Sequence, residues 1–174
     1  NKLLEMIEAQ KLFNLPKEKL DIIIHPESLV HAIVEFKNGL SKFIYHETSM
    51  KIPIANAIFD ENLNIEDFYK MTKNNKKPIE DLTFKTVNEK IFPIIKLKNK
   101  VNEHPSTSII INASNEILVD QFLRKKIDFL AISKTILKSL NDRNFKKYAI
   151  RKTRNINEIA EIDIWARKNI LKKI

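Results

Sequence analysis

The sequence predicts an α+β fold: a short helix and antiparallel or mixed strands of a sheet, followed by a small all-helical bundle. Three observations predict it. The opening stretch "NKLLEMIEAQKLF" places apolar side chains at helical spacing. Two β-branched runs then flank Asn38-Gly39, the strongest hairpin signal in the chain. From Phe92 onward the apolar spacing is helical again.

Taken in order, residues 2–14 read as a helix closed by Pro16, because the residue before a proline is pushed out of the helical region. "KLDIIIHP" is a short β-branched run stopped by Pro26, which predicts a strand over 20–25. "SLVHAIVEF" predicts a second strand over 29–36, and "LSKFIY" its return partner over 40–45. Residues 60–81 are polar and lack a sustained apolar period, so they mark a boundary. "LTFKTV" reads as one last short strand. Helices follow at 92–102, 107–124, 128–141 and 155–172, with short joints suited to a bundle. The expected division is 1–59, then a linker with a short strand over 60–90, then a helical domain over 91–174.

Composition narrows the function classes. At 174 residues the chain is one domain or two small ones. There is no Cys, so a disulfide framework, a thiolate metal site and a cysteine nucleophile are all excluded, in keeping with a reducing compartment. No apolar run approaches the roughly 20 residues of a membrane span, and no signal-peptide pattern opens the chain. The chain begins on Asn1 rather than Met, which reads as a fragment or a mature product. A formal charge of +9 invites a nucleic-acid partner. Arg occurs at only five positions, however, and the Lys residues are spread along the chain. Specific recognition concentrates Arg and Lys on one face, so the pattern argues against it. The basic stretch 142–154 keeps a rival reading open: a helical binding module for nucleic acid or protein, without catalysis.

The opening helix carries the chemistry. At about 100° per residue, Asn1, Glu5 and Glu8 share a narrow stripe with Lys2 at its edge. Leu3, Leu4, Met6, Ile7, Ala9 and Phe13 wrap most of the rest, as in a largely buried helix. Carboxylates on such a stripe must be solvated, paired or bound to a cation. The plain alternative is a solvated face with a Lys2–Glu5 contact worth about 0.2–0.5 kcal/mol. The other is a Mg²⁺ or Mn²⁺ ligand beside an Asn and a Lys that hold an anionic substrate.

"NKLLEMIEA", "IHPESLVHAIVEF", "MKIPI", "LTF", "NASNE" and "DIWAR" follow one another in register across nearly the whole chain. In that order they resemble the 1-deoxy-D-xylulose 5-phosphate reductoisomerase family. Its pattern reads Asn-Lys-Gly-Leu-Glu, Ile-Glu-Ala, Ile-His-Pro-x-Ser-x-x-His, Met-Arg-x-Pro-Ile, Leu-Thr-Phe, Asn-Ala-Ala-Asn-Glu and Asp-x-Trp-Ala-Arg. The resemblance implies the C-terminal part of an enzyme that rearranges and reduces a sugar phosphate with NADPH and a divalent cation, Mg²⁺ or Mn²⁺. It implies that Glu5 is the last of three metal carboxylates, and that Asn1 and Lys2 bind substrate, with Lys2 and Glu5 as the catalytic pair. Glu8 would support the metal ligands, Met50 would lie beside substrate and nicotinamide, and His31 would be a further substrate contact. The strands would complete a catalytic sheet that also forms a homodimer interface. The implied compartment is the bacterial cytoplasm or a plastid-type organelle, with no membrane partner.

Two departures stand out. The family's Gly after Asn-Lys is Leu3, which adds an isobutyl group beside the substrate positions. The family's Gly-x-Pro-Asp-Met-Arg loop is "HETSMK" over 46–51, keeping only the Met. They open the reading of a drifted, inactive copy. The single Gly, Gly39, sits in the hairpin signal, so the Gly-rich loop that a dinucleotide needs is not in this sequence. The chain alone is therefore not expected to turn over substrate. His25 and His104, each before a Pro, are expected to make turn or packing contacts. Asn112, Asn115 and Glu116 are expected to cap or cross-link the bundle, with Trp165 as a core aromatic and Arg167 as its paired or solvated neighbour.

Overall fold

The computed structural model describes residues 1–59, 63–67 and 82–174. They form two compact units, one of Asn1–Ile22 with Val87–Ile174 and one of Ile23–Thr86. Packing thus groups the first helix with the C-terminal helices, whereas the division expected along the chain grouped it with the strands. The polar segment 60–81 lies outside the described residues except for 63–67, where Ile65–Asp67 makes a 3-10 turn.

In the first unit, helix α1 (Lys2–Leu12) buries Leu3, Met6, Ile7 and Gln10. That i, i+3, i+4, i+7 set is one helical face. Leu12 and Phe13 are exposed, so the helix is buried on one side rather than most of the way round. Its face joins a core of Leu97, Val101, Ile111, Leu118, Ile136 and Ile170. Gln10 Oε1 accepts there from the Asn102 amide (2.8 Å), while its buried Nε2 has no hydrogen-bond partner among the described residues.

The expected helix at 92–102 is a 3-10 helix, Pro93–Leu97, followed by turns. Pro93 sits in its first turn, where its missing N–H costs nothing, and Leu97 and Val101 still bury completely. Helix α3 (Thr107–Leu123) packs along α6 (Ile156–Leu171) and beside α4 (Phe129–Ser139). The basic stretch 142–154, expected as a joint, contains a further helix, α5 (Arg143–Ala149). Its Phe145 and Ala149, four apart, bury against Ile110, Ala113, Ile162 and Ala166. Asp142 starts it by accepting from the Asn144 N–H (2.8 Å), and Asn155 starts α6 by accepting from the Glu158 N–H (3.0 Å).

In the second unit, β1 (Ile23–Ile24) pairs antiparallel with β4 (Lys85–Thr86), and β2 (Val30–Glu35) with β3 (Ser41–Tyr45). These are two separate two-stranded ladders, both antiparallel. The hairpin turns at Asn38-Gly39, where Gly39 takes a φ of 85° that a side chain would strain. Its N–H donates to the Phe36 carbonyl (3.0 Å). Helix α2 (Lys51–Phe59) follows, with Pro53 tolerated in its first turn. Among the described residues, no helix is long and apolar enough to cross a membrane.

Two predictions follow from this packing. Leu3 is 5% exposed, so Leu3→Gly removes a core side chain and weakens the helix, costing about 2–5 kcal/mol of stability in urea unfolding. A loss below about 0.5 kcal/mol would contradict that burial. The Asp142 carboxyl is held below the usual carboxylate range, first by the Lys173 ammonium (2.5 Å) and then by the Asn144 N–H. A depressed folded value makes this stabilisation full above about pH 4 and lost as pH falls through it. Asp142→Asn keeps the cap but removes the charge, so it is less stable at pH 7 by about 1–2 kcal/mol. That gap shrinks as pH drops below about 4. Thermal unfolding of both proteins across pH 2–7 checks it; a gap constant with pH would refute it.

Candidate functional site

Burial of the 3-6-7-10 face turns the 1-5-8 stripe of α1 to solvent. Asn1 precedes the helix, and its carbonyl accepts from the N–H groups of Leu4 (2.8 Å) and Glu5 (3.2 Å). Its side chain does not cap the helix but donates from Nδ2 to Glu5 Oε1 (2.5 Å). Lys2 Nζ meets the other carboxylate oxygen, Oε2, at 2.6 Å. The spacings i,i+4 and i,i+3 are those at which helix side chains meet. Glu5 is 43% exposed at the side chain and Lys2 68%, so the cluster is accessible rather than sealed. One amide, one ammonium and one carboxylate therefore stand together on a rigid helix.

Leu3 lies between these residues in sequence but not in space: its side chain enters the core. The isobutyl group expected to crowd the polar stripe points away from it. Glu8 is exposed and makes no side-chain hydrogen bond or ion pair among the described residues, so the support expected of it for Glu5 is not a contact here.

As a metal ligand, Glu5 supplies the right donor type. Hard divalent cations take carboxylate oxygen, and Mg²⁺ takes about six oxygen ligands. Among the described residues, no group of three or more His, Asp or Glu is placed to hold a metal. Glu5 can thus be one ligand of a site whose others come from elsewhere.

The other expected site residues sit in the second unit. His31, on β2, is stacked on His46, with ring centroids 3.8 Å apart and planes at 10°. Its Nε2 lies 3.1 Å from the His46 carbonyl. Met50 is 67% exposed just before α2, an apolar side chain open to a ligand. Sequence reasoning missed His46. No sequence signal led to it: counting outward from the Asn38-Gly39 turn along Ile33↔Phe43 and Ala32↔Ile44 sets Tyr45 opposite His31, and only the register shift before Val30↔Tyr45 changes that pairing.

The remaining polar motifs hold the fold. His25 Nδ1 lies 2.8 Å from the Thr83 carbonyl and 2.9 Å from Glu27 Oε2, and its ring stacks on Phe84. Thr83 Oγ1 donates to Glu27 Oε1 (2.5 Å), and that bond keeps the Glu27 carboxyl below the usual carboxylate range. "IHPE" and "LTF" are thus one clamp beside the β1–β4 ladder. The His104 carbonyl accepts from the Thr107 N–H in the turn that opens α3 (3.2 Å). Glu116 on α3 pairs with Arg167 on α6, which also binds Asp163 (2.6 Å). Those carboxylates, Asp163 foremost, hold the guanidinium still more firmly protonated. Among the described residues, Asn112 and Asn115 make no such link. Trp165 stacks on Tyr148 at 3.9 Å at the edge of the core.

A family model described as "DXP reductoisomerase C-terminal domain" matches residues 46–169. The 1-deoxy-D-xylulose 5-phosphate reductoisomerase of Pelagibacter ubique is 42% identical over 164 residues, which is 94% of this chain and 42% of that protein. The Campylobacter jejuni enzyme of the same name is 38% identical over 97% of this chain and 44% of its own length. A DOX-P reductoisomerase structure solved with NADPH, fosmidomycin and magnesium aligns with a TM-score of 0.86 at 28% identity, over 99% of this chain and 43% of that one. The chain spans less than half the length of these relatives. With the family model covering most of its residues, the chain belongs to the 1-deoxy-D-xylulose 5-phosphate reductoisomerase family.

Proposed function

We propose that the intact protein converts 1-deoxy-D-xylulose 5-phosphate to 2-C-methyl-D-erythritol 4-phosphate, using NADPH and Mg²⁺ or Mn²⁺. The observation that carries this reading is the Asn1–Lys2–Glu5 cluster, exposed on a helix whose other face is anchored in the core. Relatives that bear the enzyme's name, and a neighbour solved with NADPH, fosmidomycin and magnesium, support it. When bound, the cation supplies Lewis-acid stabilisation of negative charge developing on substrate oxygens.

Glu5 would supply one oxygen ligand to that cation. The Asn1 amide and the Lys2 ammonium stand against its two carboxylate oxygens. Both would serve as donors to substrate oxygens, Asn1 as a neutral donor and Lys2 as a point charge. His31 gives a further polar contact, and Met50 an apolar surface for the nicotinamide side. This chain carries one Gly and one exposed carboxylate in the cluster, so turnover needs groups beyond it. Residues 1–59 belong to the catalytic part, 60–90 to a linker and 91–174 to a helical domain. Exposed Val34, Phe43, Ile44 and Tyr45 on the β2–β3 hairpin fit a second copy in a homodimer. The compartment is the bacterial cytoplasm or a plastid-type organelle, in keeping with the bacterial relatives. The drifted-copy reading loses its main ground, because Leu3 faces the core. The nucleic-acid reading loses three of five arginines, Arg124, Arg151 and Arg167, to carboxylate partners.

In the full-length protein, Glu5→Gln is expected to lower Mn²⁺-dependent NADPH oxidation by about two orders of magnitude or more. The melting temperature should stay within about 2 °C, because an exposed pair contributes little stability. Activity retained in that variant would overturn the metal role.

A further inference from the structure

The loop that departs furthest from the family pattern holds a built feature. At position 46, where that pattern has Gly, the chain has His. Among the described residues only Asn14, Ser28, Lys125 and Gly39 have positive φ, so the backbone at 46 has no need of Gly. The His46 N–H donates to the Leu29 carbonyl (3.0 Å), continuing the β2–β3 pairing beyond Val30. Between Ala32↔Ile44 and Val30↔Tyr45 the register shifts, leaving His31 as the extra residue of a bulge. Bulges re-aim side chains. Here the bulge sets the His31 ring on the His46 ring, 3.8 Å apart and within 10° of parallel.

The hydrogen bonds then assign the protons. His31 Nε2 faces the His46 carbonyl at 3.1 Å, and His46 Nδ1 faces the Glu47 carbonyl at 2.5 Å. A carbonyl oxygen only accepts, so each of those nitrogens is the donor. Neutral His31 is therefore the Nε2–H tautomer, with Nδ1 left without a partner among the described residues.

We propose that His46 is a positioning residue for His31: its ring and its main-chain carbonyl fix the plane and tautomer in which His31 Nδ1 accepts a hydrogen bond from a hydroxyl of the sugar phosphate. This rests on the reading of His31 as a substrate contact. Stacked rings restrict rotation about the His31 side-chain bonds, and the backbone acceptor removes the competing tautomer. Both act on binding geometry before any chemistry, so their loss raises KM more than it lowers kcat.

The test compares His46→Ala with His46→Phe in the full-length protein, alongside ¹H and ¹⁵N spectra of the labelled histidines. His46→Ala should raise KM for the sugar phosphate about three- to tenfold, with kcat within about twofold. His46→Phe keeps a ring over His31 and should return KM to within about twofold of the parent. Because the acceptor is the main-chain carbonyl of residue 46, His31 should be the Nε2–H tautomer in the parent and in both variants, whereas the ring-current shift of its carbon-bound protons should be kept in His46→Phe and lost in His46→Ala. An unchanged KM and ring-current shift in His46→Ala, or equal damage from both substitutions, would overturn the proposal. His31→Ala with unchanged KM and kcat would overturn the substrate contact and with it the role of His46. The spectra read the ring arrangement independently of turnover, so the two failures are distinguishable.

Discussion

The burial of one face of α1 is the constraint on which the rest depends. Leu3, Met6 and Ile7 enter a core built from Leu97, Val101, Ile111, Leu118, Ile136 and Ile170. Each such side chain contributes about 1.5–3 kcal/mol when removed from water. A helix has one rotational degree of freedom about its axis, and this packing removes it. With the 3-6-7-10 face fixed inward, the 3.6-residue period sends positions 1 and 5 outward with Lys2 at their edge. The carboxylate of Glu5 is thereby held at a defined place while keeping its water, so it bears no large desolvation cost. Rigid backing with an accessible polar face is what a ligand site requires of its support.

The second unit reaches a similar result with backbone rather than core. Among the described residues few of its side chains are fully buried, Val30 and Ala55 being the buried apolar ones. Order comes instead from short ladders, the Asn38-Gly39 turn, and the clamp of His25 and Glu27 on Thr83. The bulge at His31 belongs to this economy. It breaks one rung of the ladder and uses the freed side chain to meet His46. The apolar residues left open on the hairpin are the ones that the proposed second copy would cover.

Much of this was legible in the sequence, and the misses have physical reasons. The hairpin was legible because Asn-Gly between alternating runs allows few other structures. The helical stripe of α1 was legible from spacing alone, and so was the contact of Lys2 with Glu5. Which face of α1 is buried was not, because Leu4, Ala9 and Phe13 looked as apolar as Leu3 and Met6; only the partner helices choose among them. Helix α5 was hidden by its charge: its Arg and Lys read as a loop, although Asp142 as N-cap and Phe145 with Ala149 at i,i+4 were present. The 92–102 segment kept its buried residues and lost its α geometry, a distinction that apolar spacing does not resolve. His46 was read only as a lost Gly, because a ring-on-ring contact across a bulge depends on a register shift invisible in one strand. Leu3 was misjudged the same way, by neighbours in sequence rather than in space.

In the proposed function Glu5 stands on α1 as a cation ligand and not as half of an ordinary surface ion pair. Equilibrium binding of Mn²⁺ to the full-length protein, followed by the paramagnetic signal of the free ion, tests it most directly. If the claim holds, Glu5→Gln weakens binding at least about tenfold while Lys2→Met, which removes only the ion-pair partner, leaves it equal or tighter. Mn²⁺ affinity unchanged by Glu5→Gln would contradict the account.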